Sequence, residues 1–235
     1  MNKEILCFAH RGASGYAPEN TLTAFKKALE LNAPWAELDV YYVENELVVF
    51  HDDRMERVTD GTGYIEKLSL QKLRKLKVKN SEKIPYLHEV LDLADKKMNF
   101  NIELKGINTA EPVVKLIHSY LKKGWKKEQF LISSFNHIEL AKIQELDSEL
   151  NTGALLCGMP LDYCAFASKL GAYSVHPSIE FLDKNYVEDA HRRGLKVFVY
   201  TVNHIDDMKK MMELNVDGMF TNYPDVLLSL LKEEK

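Results

Sequence analysis

His10 and Arg11 stand at the end of a short apolar run, Ile5-Leu6-Cys7-Phe8-Ala9, just before the turn Gly12-Ala13-Ser14-Gly15. An apolar run of that length fits a strand buried on both faces. The first polar residues after it then sit at the strand's carboxyl end, where α/β proteins build their sites. Glu37 and Asp39 lie two apart inside the alternating stretch 35–40, which puts both carboxylates on one side of a strand, and Glu103 and Lys105 repeat that spacing. His51 follows a further apolar run, Leu47-Val48-Val49-Phe50. Imidazole is the side chain that changes charge near neutral pH without a large perturbation, so two of them can supply an acid and a base. Arg11 offers a planar fork and Lys105 a point charge, both suited to a phosphate. The set matches what phosphodiester cleavage requires: stabilised charge on the nonbridging oxygens, a base for the nucleophile and an acid for the leaving oxygen.

Three acids pointing into one site need compensation, because an unpaired buried charge costs several kcal/mol. Two arrangements would provide it: a salt-bridge cluster with Lys105 and Arg11, or a divalent cation. An all-carboxylate set suits the hard ions Mg²⁺ or Ca²⁺ better than Zn²⁺.

Bringing together side chains that run from position 10 to position 105 needs a fold that gathers strand ends. Strands are predicted from residue 5, and over 35–40, 100–104, 130–134, 152–156, 173–176, 196–200 and 218–220, eight in all. Asn20 or Thr21 caps a first helix carrying Leu22, Phe25, Leu29 and Leu31, and further helices are predicted over 88–97, 110–123, 138–146, 163–170, 184–193, 206–214 and 225–232. Eight strands alternating with helices, with no Gly-x-Gly-x-x-Gly after the first, predict a closed TIM (β/α)8 barrel rather than an open doubly wound sheet. The span 41–87 exceeds the usual βα loop of about two to six residues. It is expected to form a small insertion between the second strand and the second helix that carries His51 back to the site. One domain over 1–235 is the expectation, with a frayed tail at 232–235.

Composition narrows the partners. The chain has 46% hydrophobic and 28% charged residues, and no run approaches the roughly 18 apolar residues of a membrane span. A net charge of −4 and an isoelectric point near 6.1 give no chain-wide attraction to nucleic acid or acidic membranes, so an anionic ligand must be held by a few local cations. Lys122, Lys123, Lys126 and Lys127 gather at a helix end and read as a solvated face. Cys7, Cys157 and Cys164 form no paired spacing and read as reduced, with Cys7 buried. Met1–Glu4 lead straight into the first strand, which argues against a cleaved leader and for a cytoplasmic protein. Phe135 and Tyr200 each end a strand and are candidates for substrate contact, with core or rim packing as the other reading. The segment 200–203 reads as hydrogen bonding at the barrel mouth. His88, His118, His137, His191 and His204 read as structural, and His176 stands apart because it ends a strand.

The string HRGASGYAPENTLTAF at 10–25 resembles the opening signature of the glycerophosphodiester phosphodiesterase family. Two further blocks match in order: AELDV followed by LVVFHDD, with Glu37, Asp39 and His51, and NIELKG, with Glu103 and Lys105. Weaker matches continue through SSFN at 133–136, YTVN at 200–203 and GMFTNYPD at 218–225. The resemblance implies the same barrel, a metal held by Glu37, Asp39 and Glu103, His10 as proton acceptor and His51 as proton donor. It also implies attack by the neighbouring glycerol hydroxyl, a cyclic phosphate, and release of sn-glycerol 3-phosphate and an alcohol such as choline, ethanolamine or glycerol. Ala33-Pro34-Trp35 and Glu44-Asn45-Glu46 depart from the family's Gly-Ala-Asp and Asp-Gly turn without touching a proposed ligand. The rival readings are a phosphodiesterase for lysophospholipid or phosphoinositide, against which polar mouth loops are expected to argue, and a barrel that binds a glycerophosphodiester without turnover.

Overall fold

The computed structural model of the chain describes residues 5–79 and 81–233. The expectations for Met1–Glu4 and for Glu234 and Lys235 lie outside the described residues. In chain order the elements are β1 (Leu6–Ala9), α1 (Leu22–Glu30), β2 (Trp35–Val43), β3 (Glu46–Val49), α2 (Leu70–Leu73), β4 (Lys77–Val78), β5 (Glu82–Lys83) and α3 (Leu87–Ala94). There follow β6 (Asn99–Leu104), α4 (Ala110–Leu121), β7 (Phe130–Ser134), α5 (His137–Leu146), β8 (Asn151–Leu156) and α6 (Ala165–Leu170). The chain closes with β9 (Ser174–Pro177), α7 (Lys184–Arg192), β10 (Lys196–Val199), α8 (Ile205–Glu213), β11 (Gly218–Thr221) and α9 (Pro224–Glu233). Lys232 and Glu233, expected in a frayed tail, belong to α9.

β1, β2 and β6 to β11 pair parallel in that order, and β11 returns to β1 with Leu6 opposite Gly218 and Phe8 opposite Phe220, which closes an eight-stranded barrel. This is the predicted (β/α)8 architecture. Two cores result from the strand alternation. Outside the sheet, Phe25, Phe100, Ile132, Val175, Val197 and Met219 are buried beneath the helices. Inside, Phe8, Leu131, Phe198 and Phe220 pack together with Trp35, and the Phe8 ring lies 4.6 Å from Phe220 and 5.0 Å from Phe198. In α1 the buried face is Ala24, Phe25 and Ala28, and Leu22 in the first turn is exposed rather than on that face. Thr21 is its cap, accepting from Ala24 N–H at 3.2 Å.

β2 runs three residues past its predicted end. Glu44 and Asn45 both take positive φ, 44° and 69°, which is the two-residue turn that joins antiparallel strands, and β3 folds back so that Val40 faces Val49. Tyr41 and Tyr42 break the simple apolar-polar alternation, so the extension was invisible to periodicity. Beyond this hairpin the chain builds a small core of its own, with Tyr41, Val48, Phe50, Met55, Ile65 and Ile84 buried together. No described helix is long and apolar enough to cross a membrane.

The amino end of α4 is capped from the next helix. Glu139, buried in α5, accepts Ala110 N–H at 3.0 Å and Asn108 N–H at 3.2 Å and is paired with Lys142 at 2.7 Å. Burial works against its charge, but Lys142 and the two backbone donors outweigh it, so its pKa lies below the usual carboxylate value. A depressed pKa contributes stability above the unfolded carboxylate range that is lost as pH falls through the folded value. Glu139→Gln is expected to destabilise the fold by about 2 kcal/mol at neutral pH. In urea unfolding the gap between wild type and variant should shrink steadily as the pH is taken below the ordinary carboxylate range.

Candidate active site

At the carboxyl end of the barrel strands, Asp39 lies opposite Glu103 in the β2–β6 register, and Glu37 lies one pleat below, opposite Asn101. One carboxylate oxygen from each of Glu37, Asp39 and Glu103 comes within 4.8 Å of the others, and all three residues are buried. Burial first, and then the neighbouring carboxylates, push the pKa of Glu37 well up and that of Glu103 up as well. Asp39 Oδ1 is buried and takes no hydrogen bond from the described residues. Hard oxygen donors packed this closely, one with an unanswered lone pair, fit a divalent cation by their chemistry.

The cations reach this cluster by two different local devices. Arg11 takes a left-handed conformation, φ 53°, followed by Gly12 at 78°, where a Cβ would fall 2.7 Å from the Ala24 carbonyl carbon. That turn aims the Arg11 N–H at Glu37 Oε2, 2.7 Å away, and brings its Nε to 3.6 Å from Asp39 Oδ2. Lys105 follows Glu103 by two residues and donates to it at 2.9 Å. Burial works against the Lys105 charge, but Glu103 and Asp39 more than offset it, and its pKa lies above the ordinary lysine value.

Each histidine is oriented by a partner on its Nδ1. His10 Nδ1 lies 2.7 Å from Asn222 Oδ1, so with the amide in this orientation Nδ1 carries the proton and Nε2 is free. Burial, and then the Arg11 charge, lower its pKa to about 4. His51 Nδ1 donates to Asp52 Oδ1 at 2.6 Å, and its Nε2 faces Lys105 Nζ at 3.4 Å. Arg57 then joins the two halves of the mouth. It donates to both oxygens of Asp52, at 2.5 and 3.0 Å, and to both oxygens of Glu19, at 2.6 and 2.9 Å. Glu19 in turn accepts Arg11 Nη1 at 2.7 Å. Opposed by burial, the two arginines still draw the Glu19 pKa down to about 2.

His10, Arg11, Glu37, His51, Glu103, Phe135 and Tyr200 line one cavity of about 230 Å³, while Asp39 and Lys105 touch it through Arg11, Glu103 and His51. Phe135 and Tyr200 meet edge to face at 5.9 Å, and the Tyr200 hydroxyl is committed to the Leu156 carbonyl at 2.9 Å, so Tyr200 offers the site only its ring. Sequence reasoning missed Glu19, Asn20, Asp52, Arg57 and Asn222. Asn20, read as a possible helix cap, is a buried residue at φ 57° whose amide donates to Asp39 Oδ2 at 2.8 Å. The adjacency of Asp52 to His51 was the available signal; the others meet the site only through the fold. The expectation of polar mouth loops needs correction. Ile107, Phe135, Ile138, Met159 and Leu161, on or beside the loops after β6, β7 and β8, are all exposed.

Residues 10–226 match the model of the glycerophosphoryl diester phosphodiesterase family. A glycerophosphodiester phosphodiesterase of Caldanaerobacter subterraneus subsp. tengcongensis is 36% identical, over 98% of this chain and 99% of the relative, and one of Bacillus subtilis is 34% identical over 97% and 87%. Among solved structures, an Oleispira antarctica phosphodiesterase in complex with the product sn-glycerol-3-phosphate superposes with a TM-score of 0.87 at 30% identity, covering 97% of this chain and 96% of that one. A putative glycerophosphodiester phosphodiesterase from Galdieria sulphuraria gives 0.88 at 30% identity, covering 98% of each chain. A family match over residues 10–226, together with relatives above 30% identity across nearly the whole chain, leads to one conclusion: the chain belongs to the glycerophosphodiester phosphodiesterase family.

Proposed function

We propose that this protein hydrolyses glycerophosphodiesters to sn-glycerol 3-phosphate and an alcohol, with the 1–235 barrel and its inserted lobe at about 41–87 acting as one catalytic unit in the cytoplasm. The observation that carries the reading is the convergence of two differently oriented imidazoles, Arg11, Glu37 and Glu103 on one cavity, with Asp39 and Lys105 paired to them from behind. The sn-glycerol-3-phosphate held by the Oleispira protein agrees with the product assigned here.

Glu37, Asp39 and Glu103 would hold Mg²⁺ or Ca²⁺. Such an ion supplies Lewis-acid stabilisation of charge on the phosphoryl oxygens. Arg11 and Lys105 hold the phosphate beside it, the first by its fork and the second as a point charge. His10 Nε2, neutral because burial and Arg11 disfavour its charged form, takes the proton from the neighbouring glycerol hydroxyl as that oxygen bonds to phosphorus. The bond from phosphorus to the head-group oxygen breaks, and His51 Nε2 delivers a proton to that oxygen. Water then opens the cyclic phosphate with the two imidazoles in reversed roles. Phe135 and Tyr200 form an apolar wall for the carbon skeleton. Arg57 touches no reacting atom; it positions Arg11 through Glu19 and His51 through Asp52.

A second reading is favoured by the exposed apolar rim of Ile107, Ile138, Met159 and Leu161: a substrate with an acyl chain, such as a lysophospholipid, would lay that chain across it.

Release of glycerol 3-phosphate from a panel of deacylated and singly acylated phospholipids tests both readings. His10→Ala and His51→Ala should each lose on the order of 10² to 10⁴-fold in turnover, and exhaustive chelation should abolish activity that Mg²⁺ or Ca²⁺ restores. Full turnover in both variants defeats the acid/base assignment, and activity indifferent to chelation defeats the metal. Arg57→Ala should lower kcat by on the order of 10 to 10²-fold through misplacement of His51 and Arg11, and Arg57→Lys should recover little, because an ammonium cannot hold two carboxylates in forked pairs.

A further inference from the structure

Among the described residues, the large apolar side chains that reach solvent are unevenly placed. They lie in the inserted lobe, in loops that follow barrel strands or in the first turns of helices, all at the mouth end, with two exceptions, Leu146 and Tyr173. They are densest on three loops. Ile107, 65% exposed, follows β6; Phe135 and Ile138, the latter 70% exposed, follow β7; Met159 and the fully exposed Leu161 follow β8. These strands pair in that order, so the loops stand side by side and form one rim. Single exposed apolar residues are ordinary, but a group of them confined to one end of a molecule marks a surface that meets something.

Beside the rim lies a stretch of opposite character. Residues 67–79 of the lobe hold six cations, Lys67, Lys72, Arg74, Lys75, Lys77 and Lys79, and no acid, in a chain whose net charge is −4. Arg74 is spent on Glu89, but Lys72, Lys75, Lys77 and Lys79 make no ion pair with any described residue. The acids around the stretch are turned elsewhere. Glu44 accepts the Leu70 N–H, Asp60 the Lys77 N–H and Glu82 the Thr23 hydroxyl, each at 2.8 Å. The lobe is held at the mouth end by contacts with the first turns of α1 and α3, through Thr23 with Glu82 and through Arg74 with Glu89. It also touches the rim. A Cβ on Gly106, next to Ile107, would fall 3.2 Å from a carboxylate oxygen of Glu66, next to Lys67.

We propose that this end of the barrel docks on the surface of an anionic lipid bilayer, with Ile107, Ile138, Met159 and Leu161 entering the acyl boundary and the lobe lysines meeting the lipid phosphates. The inference goes beyond hydrolysis and does not rest on it, because the bilayer is a surface here and not a substrate. Apolar insertion and a polybasic patch are each weak as anchors, and together they hold a protein at an anionic membrane. The negative net charge does not prevent this. Attraction at a surface is set by charges within a Debye length of roughly 10 Å, and there the lysines dominate. Charge complementarity and side-chain type single out this partner. A nucleic acid would be met by rings on which bases stack, whereas the rim is aliphatic apart from Phe135. A second copy meeting rim to rim would leave both lysine stretches without an anion.

The test is flotation of the full chain with extruded vesicles of diacyl phosphatidylcholine, with and without about one third phosphatidylglycerol. Wild type should bind the anionic vesicles at least on the order of 10-fold more tightly at about 0.1 M salt, and the excess should vanish near 1 M. Ile138→Asp with Leu161→Asp should weaken binding to the anionic vesicles by on the order of 10-fold or more. Lys72→Glu with Lys75→Glu and Lys79→Glu should erase the preference for phosphatidylglycerol. The replaced side chains are all exposed, and circular dichroism melting checks that each variant is folded. No binding to either vesicle, equal binding to both, or wild-type binding by both variants would overturn the proposal. So would a dimer in vesicle-free sedimentation that Ile138→Asp with Leu161→Asp dissolves, since the rim would then belong to a second copy. If a variant fails to fold, the wild-type lipid preference and its salt dependence still decide.

Discussion

Three carboxylates whose oxygens crowd within 4.8 Å inside a barrel mouth create the constraint on which the upper half of this structure depends. At that spacing and an effective dielectric of about 20, each pairwise repulsion is on the order of 3 kcal/mol, comparable to or larger than the roughly 1.5–3 kcal/mol that a charge-assisted hydrogen bond contributes. Arg11 and Lys105 bring two positive charges, and Arg11 is shared with Glu19. The cluster is therefore short of positive charge, and the raised pKa of Glu37 is the consequence. This deficit is the physical support for a divalent cation among these residues.

The remaining polar contacts at the mouth are arranged around that cluster. The left-handed turn at Arg11 and Gly12 delivers a backbone donor to Glu37, and the left-handed Asn20 delivers an amide to Asp39. Left-handed conformations cost on the order of 1 kcal/mol for residues other than glycine. Here they recur beside buried carboxylates, where the donors they aim are worth more. The inserted lobe extends the same logic. His51 lies beyond β3, outside the barrel proper, and it needs the lobe's own apolar core to hold it in place. Arg57 ties that lobe to the loop after β1 by pairing with Asp52 and Glu19 together. One guanidinium thus couples the placement of the His51 imidazole on the insertion to that of Arg11 on the barrel.

The barrel interior combines three chemistries. Charged groups and neutral polar groups share the upper interior, with Glu37 opposite Asn101 and Glu103 opposite Ser133, and the packed rings of Phe8, Phe198 and Phe220 form a separate apolar cluster inside the barrel. Gly153 leaves room for the His176 imidazole on the neighbouring strand. A larger residue there would have pushed His176 aside.

Much of this was legible in the chain itself. Alternating apolar runs and helical spacings are local properties, so the eight strands, the barrel and the facing pairs Glu37 with Asp39 and Glu103 with Lys105 could be read directly, and the His10 to Phe25 string pointed to the family. The extension of β2 and its hairpin could not, because two tyrosines mask the period and the turn is made by Glu44 and Asn45 rather than by glycine. The deeper omissions are of another kind. Asn222 orients His10 from 212 residues away, Arg57 reaches Glu19 across 38, and His176 enters the interior over a glycine on a different strand. Sequence periodicity says which way a side chain points along its own strand. Only the closure of eight strands in one register decides which side chains from distant segments meet, and with them the partners of each histidine, the floor of the cavity and the apolar rim at its mouth.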